Sequence, residues 1–318
     1  MKLIEKPEHG SLEWLLKRHR DGDGRVVFGA SEAPALMGQS PWLSRPELFA
    51  AKITEPTVGK ETAAFRRGNL IEPVLVAEAG VVLGIPSIKT PPFMYQRDRW
   101  IISLDGVDDS FTPSVVIEAK TTSRHRVRDA EDLPNEWLWQ AWAQRLVTGA
   151  DVWFSVLDAE QNITVVQCPD NPQALDSLAE EAARFAEAIE ANEPPADFAE
   201  AVIDADTVAK IWRAKPTEIE VPESDMYWLQ QMVHAKELIA EGEAIKKNAE
   251  DHIAMLLKEN EVGTYQGVKV VSWKEQAGRS SLDTKALREA HPDIVAQFER
   301  QGKPFRVMRT HKIASPTA

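Results

Sequence analysis

Asp105 and the triplet Glu118-Ala119-Lys120 are the residues whose types and spacing point to chemistry. Glu118 and Lys120 lie two apart in the β-branched run Val115–Lys120, and on a strand that spacing puts both side chains on one face. Asp105 ends the preceding apolar run, Trp100–Leu104. Phosphodiester hydrolysis needs a cation to lower the pKa of water and to offset charge building on the phosphate. Magnesium takes oxygen ligands and keeps several waters, so two or three carboxylates suffice. In this reading Asp105 and Glu118 hold the ion, and Lys120 orients or helps deprotonate the attacking water. A blander reading fits the same residues: Asp105 as a turn before Gly106, and Glu118 with Lys120 as a surface pair.

The elements that must position these groups can be read from pattern. Short apolar or β-branched runs predict strands at Val81–Ile85, Trp100–Leu104, Val115–Lys120, Val152–Leu157 and Ile163–Cys168. Helical texture is expected at 11–19, after Ser31 as N-cap, over Pro46–Ile53, and over 61–79, where Pro73 implies a kink. Further helices are expected at 134–148, from Asp170 to Asn192, over 224–260 and at 282–299, with a hairpin at 263–273 and a last basic strand, Phe305–Ile313. The fold class expected is α/β, a central mixed β-sheet flanked by helices in a restriction-endonuclease-like core, with a C-terminal helical and small α+β extension. Glu193-Pro194-Pro195 is the clearest boundary, which divides the chain into a catalytic core at 1–197, a helical and possibly coiled-coil extension at 198–262, and a small α+β region at 263–318.

The chain has 318 residues, 43% of them hydrophobic and one of them cysteine. Cys168 alone excludes an intrachain disulfide and cannot hold a zinc or iron–sulfur site. No window approaches the roughly 20 apolar residues of a membrane span, and a cytoplasmic protein is expected. The formal charge of −13 looks wrong for a nucleic-acid binder. Its distribution matters more than its sum: residues 1–197 carry −11, 198–262 carry −7 and 263–318 carry +5. Arg124, Arg126 and Arg128 form a basic knot just after Lys120. Such a knot is either a solvated loop or a phosphate clamp, since phosphate contacts supply most sequence-independent affinity. Trp42, in an exposed-looking loop, is the better base-stacking candidate, whereas the tryptophans of 137–142 read as core. The seven histidines show no ligand spacing.

Glu72 lies upstream in Gly68-Asn69-Leu70-Ile71-Glu72-Pro73, and Gln140 lies on the helix after the Glu-x-Lys strand. Together with Gly29-Ala30-Ser31-Glu32, Ser103-Leu104-Asp105-Gly106, Ile117-Glu118-Ala119-Lys120 and Leu146-Val147-Thr148-Gly149, these segments follow one another as in a known family. Across most of 25–168 the sequence resembles the YqaJ viral-recombinase family, phage exonucleases related to the lambda exonuclease and built on the PD-(D/E)xK core. The resemblance implies a magnesium enzyme, with manganese able to substitute, that digests double-stranded DNA ends 5′ to 3′ and leaves single-stranded tails for recombination. It implies that Asp105, Glu118 and Glu72 surround the metal, that Lys120 is the catalytic lysine, and that Gln140 positions it or the water. Arg25 and Ser31 match positions that contact the terminal phosphate, although Ser31 serves equally well as a helix cap. It further implies a ring-shaped trimer, a single-strand annealing protein as partner, and a phage or prophage gene expressed in a bacterial cell. Leu104 stands where the family usually has proline, which alters the turn but no ligand. A restriction-type endonuclease and a non-catalytic DNA-binding recombination scaffold are the alternatives.

Overall fold

The computed structural model describes residues 1–59, 62–201, 203–302 and 305–310. The chain forms two compact units, Met1–Arg213 and Ala214–Ala318. Glu193-Pro194-Pro195 falls inside the first unit, because Phe198 and Ile211 beyond it are buried in that unit's main core.

The first unit opens with β1 (Lys2–Glu5) and α1 (Leu12–Lys17), the latter capped by Ser11, whose side chain accepts from Trp14 N. A 3-10 turn at Ala30–Glu32 leads into α2 (Ala33–Leu36). Ser31 therefore sits inside a turn and is not the N-cap expected from sequence. Then come α3 (Arg45–Ile53) and α4 (Ala63–Val82), capped by Ser44 and Thr62 respectively. Helix α4 continues through Pro73 and claims Val81 and Val82, so the strand expected at Val81–Ile85 is absent. Those apolar residues belong to a helix end, and a run this short cannot be told from a strand by periodicity.

Two sheets share the unit. The first is antiparallel, β1-β2-β3, with β2 at Phe93–Arg97 and β3 at Trp100–Ile102. The second is mixed, β4-β5-β6-β7, from Gly106–Val107, Val115–Thr121, Asp151–Leu157 and Ile163–Gln167. Strands β5 and β6 run parallel, and β4 and β7 flank them antiparallel. The α/β class expected from sequence is what the chain adopts. Trp100–Ile102, however, joins the first sheet, and β1 and β2 are additions to the expected strand set. Helix α5 (Asn135–Thr148) makes the β5-to-β6 crossover and ends on Gly149, at φ 76°, the left-handed conformation that glycine adopts without cost. Helix α6 (Pro172–Ala191) lays Leu178, Ala182, Phe185 and Ile189 on the core, and α7 (Ala205–Ile211) completes the unit.

The second unit holds α8 (Met226–Leu257), the hairpin β8 (Val262–Tyr265) with β9 (Val268–Ser272), α9 (Thr284–Ala290) and α10 (Pro292–Phe298). The single helix expected at 282–299 is broken at His291-Pro292, where proline cannot continue the preceding turn. Phe305–Thr310 carries no strand, and 311–313 of the expected last strand lie outside the described residues. Among the described residues no helix is long and apolar enough to cross a membrane.

Candidate active site

Strand register brings the acidic residues together. Gly106 pairs with Ile117 and Val107 with Val116, so Asp105, one step earlier, faces Glu118. Its Oδ2 accepts from Ala119 N at 2.9 Å. Glu118 is 3% exposed, and burying a carboxylate is costly unless it is paired and hydrogen-bonded. Here it is both. Lys120 Nζ lies 2.8 Å from Glu118 Oε1. Gln140 Nε2 donates to that same oxygen at 2.6 Å, and Gln140 Oε1 accepts from Lys120 Nζ at 2.8 Å. Glu118 Oε2 accepts from Gln144 Nε2. Gln140 and Gln144 are one helical turn apart on α5, so a single helix face holds both oxygens. Gln144, wholly buried, escaped the sequence reading. Its i,i+4 spacing from Gln140 was the available signal.

Helix α4 supplies Glu72 from above the sheet. Val76, one turn further on, packs over Gly106: a Cβ built there would stand 2.8 Å from Val76 Cγ1 and 3.2 Å from Ile117 Cβ. The helix can thus come this close only over a glycine. Burial pushes the Asp105 carboxyl well above the usual carboxylate range, and Glu118 and Glu72 push it further. Burial and Glu118 likewise raise Glu72. Lys6, just past β1, feels Asp105 and Glu72 as neighbouring charges. Among the described residues no group of three or more His, Cys, Asp and Glu side chains is arranged to hold a metal ion. The donors nevertheless suit a hard cation in kind, since Asp105 and Glu72 resist ionising beside their acidic neighbours and a cation among them would relieve that repulsion.

The structure brings Arg18 to Ser31, with Arg18 Nη2 donating to Ser31 Oγ at 2.7 Å. The Arg18 guanidinium lies 4.2 Å from the centre of the Trp14 ring and directly against Gly29. Trp14 Nε1 in turn donates to Ser103 Oγ at 3.1 Å, two residues before Asp105. Arg18, Trp14 and Ser103 thus link Ser31 to the carboxylates. The Gly29–Glu32 segment is fixed from beneath by Lys52, a cation 2% exposed, whose Nζ reaches Glu32 Oε2 at 2.9 Å and the carbonyls of Val27 and Arg18 at 2.8 and 3.0 Å. Arg25 is elsewhere. It pairs with Asp21 at 2.7 Å and lines a cavity with Arg99 and Trp100.

Thr121, directly after the catalytic lysine candidate, lines an open cleft of about 790 Å³ that also holds Trp42, Arg67, Arg124 and Trp137. Arg124 stacks 5.2 Å from the Trp42 ring centre, and Lys120 Nζ lies 5.9 Å from that of Trp137. The remainder of the basic knot turns to carboxylates: Arg126 to Glu160 at 3.1 Å and Arg128 to Asp132 at 3.2 Å.

Residues 13–151 match the YqaJ-like viral recombinase domain. The matched span runs from α1 into the start of β6 and contains Glu72, Asp105, Glu118, Lys120 and Gln140. Among solved structures, the chain is similar to an alkaline exonuclease from Laribacter hongkongensis, with 18% identity, a TM-score of 0.43, and coverage of 57% of this chain and 94% of the other. The same exonuclease in complex with dAMP matches at 18% identity and TM-score 0.42 over 57% and 94% of the two chains. A phage-related exonuclease from Haemophilus somnus 129PT matches at 11% identity and TM-score 0.41, over 52% of this chain and 95% of the other. No curated protein matches.

Proposed function

We propose that this chain is a magnesium-dependent exonuclease that acts on the ends of double-stranded DNA. That it is a DNA nuclease is common ground between the recombinase domain and the acidic cluster. The observation that carries the finer reading is the knot in which Lys120 Nζ is held jointly by Glu118 Oε1 and Gln140 Oε1, each at 2.8 Å. A scaffold would have no need to gather a carboxylate, an ammonium and two amides around one point beside a second, reluctant carboxyl.

Asp105, Glu118 and Glu72 would hold the cation. When bound, magnesium (or manganese in its place) would lower the pKa of water and offset charge on the scissile phosphate. Lys120, fixed by Gln140, would orient the attacking water and take part in its deprotonation. Gln144 keeps Glu118 from rotating away. Arg18 and Ser31 offer a guanidinium and one hydroxyl to the cavity they line with Leu15 and Lys52, a pairing suited to a terminal phosphate. Ser31 keeps the role the resemblance implied, and Arg18 takes the place of Arg25. Trp42 and Arg124 would receive the strand along the cleft, where a base can stack on the indole and a phosphate can meet the guanidinium. Digestion 5′ to 3′, production of single-stranded tails for recombination, a trimeric ring and an annealing partner complete the reading.

The test compares linear duplex carrying 5′ or 3′ end label with covalently closed circles, in magnesium and in EDTA. We expect mononucleotide release from linear duplex only, beginning at the 5′ end, and none in EDTA. Cutting of closed circles would replace the exonuclease reading with an endonuclease.

A further inference from the structure

Helix α8 is 32 residues long, about 48 Å, yet Leu257 is its one buried residue. Helices this long draw most of their stability from packing an apolar face. At 100° per residue its half-buried positions, Met226, Leu229, Met232, Val233 and Ala254, share one side with Leu257, which packs on Gly263 of the hairpin. The opposite side is bare. There the positions 228, 231, 235, 238, 242, 245, 249, 252 and 256 alternate by three and four, the 3.5-residue period of a two-helix seam. Leu238, Ile245 and Leu256 on it are 55%, 64% and 78% exposed.

We propose that this seam pairs α8 with α8 of a second copy of the chain, in antiparallel orientation, about a two-fold axis between residues 243 and 244. Over residues 235–252 the seam has a large column and a small one, with Trp228 and Leu256 standing beyond either end of the small column. Leu238 and Ile245 occupy the first, and Ala235, Gly242 and Ala249 the second. In the antiparallel register Leu238 meets Ala249 of the second copy, and Ile245 meets its Gly242. Leu238, Ile245 and His252 then face Ala249, Gly242 and Ala235, while Leu256 meets Gln231, and the two-fold repeats each contact. A parallel pair would stack Leu238 on Leu238 and Gly242 on Gly242, which leaves voids at the glycine and alanine layers, and such voids are destabilising. Nucleic acid is a poor occupant, because α8 carries three lysines against five carboxylates and phosphate contacts need net positive charge. The proposal is independent of the nuclease reading, and beside the trimeric ring of that reading a two-fold contact would join one ring to another.

Disulfide trapping in the full chain tests both the pairing and its direction. The native thiol, Cys168, is buried with its pKa pushed up to about 12, so it stays silent under mild oxidation. The double variant L238C/A249C should give covalent dimers on a denaturing gel, while L238C and A249C alone should not. Adding Ile245→Glu to the double variant should cut dimer yield at least tenfold with helix content by circular dichroism unchanged. Dimers from L238C alone would establish a parallel pair and overturn the proposal. So would absence of cross-linking in a double variant whose helix content equals that of the wild type.

Discussion

Gly106→Ala tests whether the approach of α4 to the sheet builds the site. The added Cβ would stand 2.8 Å from Val76 Cγ1, 3.2 Å from Ile117 Cβ and 3.3 Å from Ile88 Cγ2. None of these atoms ends a long flexible chain. Val76 is held in α4, Ile117 in the middle of β5, and all three side chains belong to one buried cluster. Relief therefore requires the helix or β4 to move, and overpacking of this kind costs about 1–3 kcal/mol. For a unit of this size that corresponds to a fall in Tm of roughly 2–12 °C. The larger consequence is functional, since α4 carries Glu72 and the neighbouring peptide carries Asp105. A displacement near 1 Å at a catalytic group can cost on the order of 100-fold in rate. Urea unfolding gives the stability change, and magnesium-dependent digestion of linear duplex gives the rate, measured where the variant is still folded. If the variant matches wild type in both, α4 does not depend on Gly106 for its seat, and the account of how Glu72 reaches the site is wrong.

Other outcomes follow from the same contacts. Lys120→Ala should lower the digestion rate by about 10²–10⁴-fold in a chain that still folds, with a lowered unfolding midpoint because buried Glu118 keeps only the amides of Gln140 and Gln144; retained activity would remove the lysine from the mechanism. Asp105 is raised first by burial and then by Glu118 and Glu72, so its neutral form is favoured in the fold, and metal-free stability should fall as pH rises from the unfolded carboxyl range toward the folded value. Asp105→Asn should therefore stabilise the metal-free protein at neutral pH while abolishing digestion, a pairing that urea melts and a nuclease assay read together. Because a proton and the cation would compete for that carboxyl, the acid limb of activity should move to lower pH as magnesium is increased; a limb that ignores magnesium would count against Asp105 as a ligand. Lys52→Met leaves half-buried Glu32 beside Arg18 with its ammonium partner gone; breaking a fully buried pair costs about 3–5 kcal/mol, and a smaller loss is expected here, readable in a urea melt.

Much of the fold was legible because local pattern and tertiary role agree. Val115–Thr121 and Asp151–Leu157 are β-branched runs bounded by turns, and both became adjacent central strands. Where an apolar run could serve either element, length misled: Val81 and Val82 finish a helix, and Phe93–Arg97, with its central Tyr95-Gln96, had too little alternation to stand out. β1 gains its strand from pairing with β2, a partner about ninety residues away, and local propensity carries no record of such a pairing.

The site divides in the same way. Period-2 and period-3.6 spacings fix which side chains share a face, so Glu118 with Lys120 could be read directly, and Gln140 with Gln144 was readable in principle. Asp105 opposite Glu118 needed only the short hairpin between them. The Arg18–Ser31 contact obeys no period. It exists because Gly29 leaves room for a guanidinium, Trp14 offers a ring beneath it, and Lys52, from α3, ties the Glu32 turn in place. Arg25 entered the sequence reading through the family resemblance, which matched it with Ser31 to phosphate-contacting positions. Asp21 is buried and needs a cation, and Arg25, four residues away, is the one the local turn delivers. Demand from a buried carboxylate decided which arginine remained beside Ser31, and that demand appears only once the turn is folded.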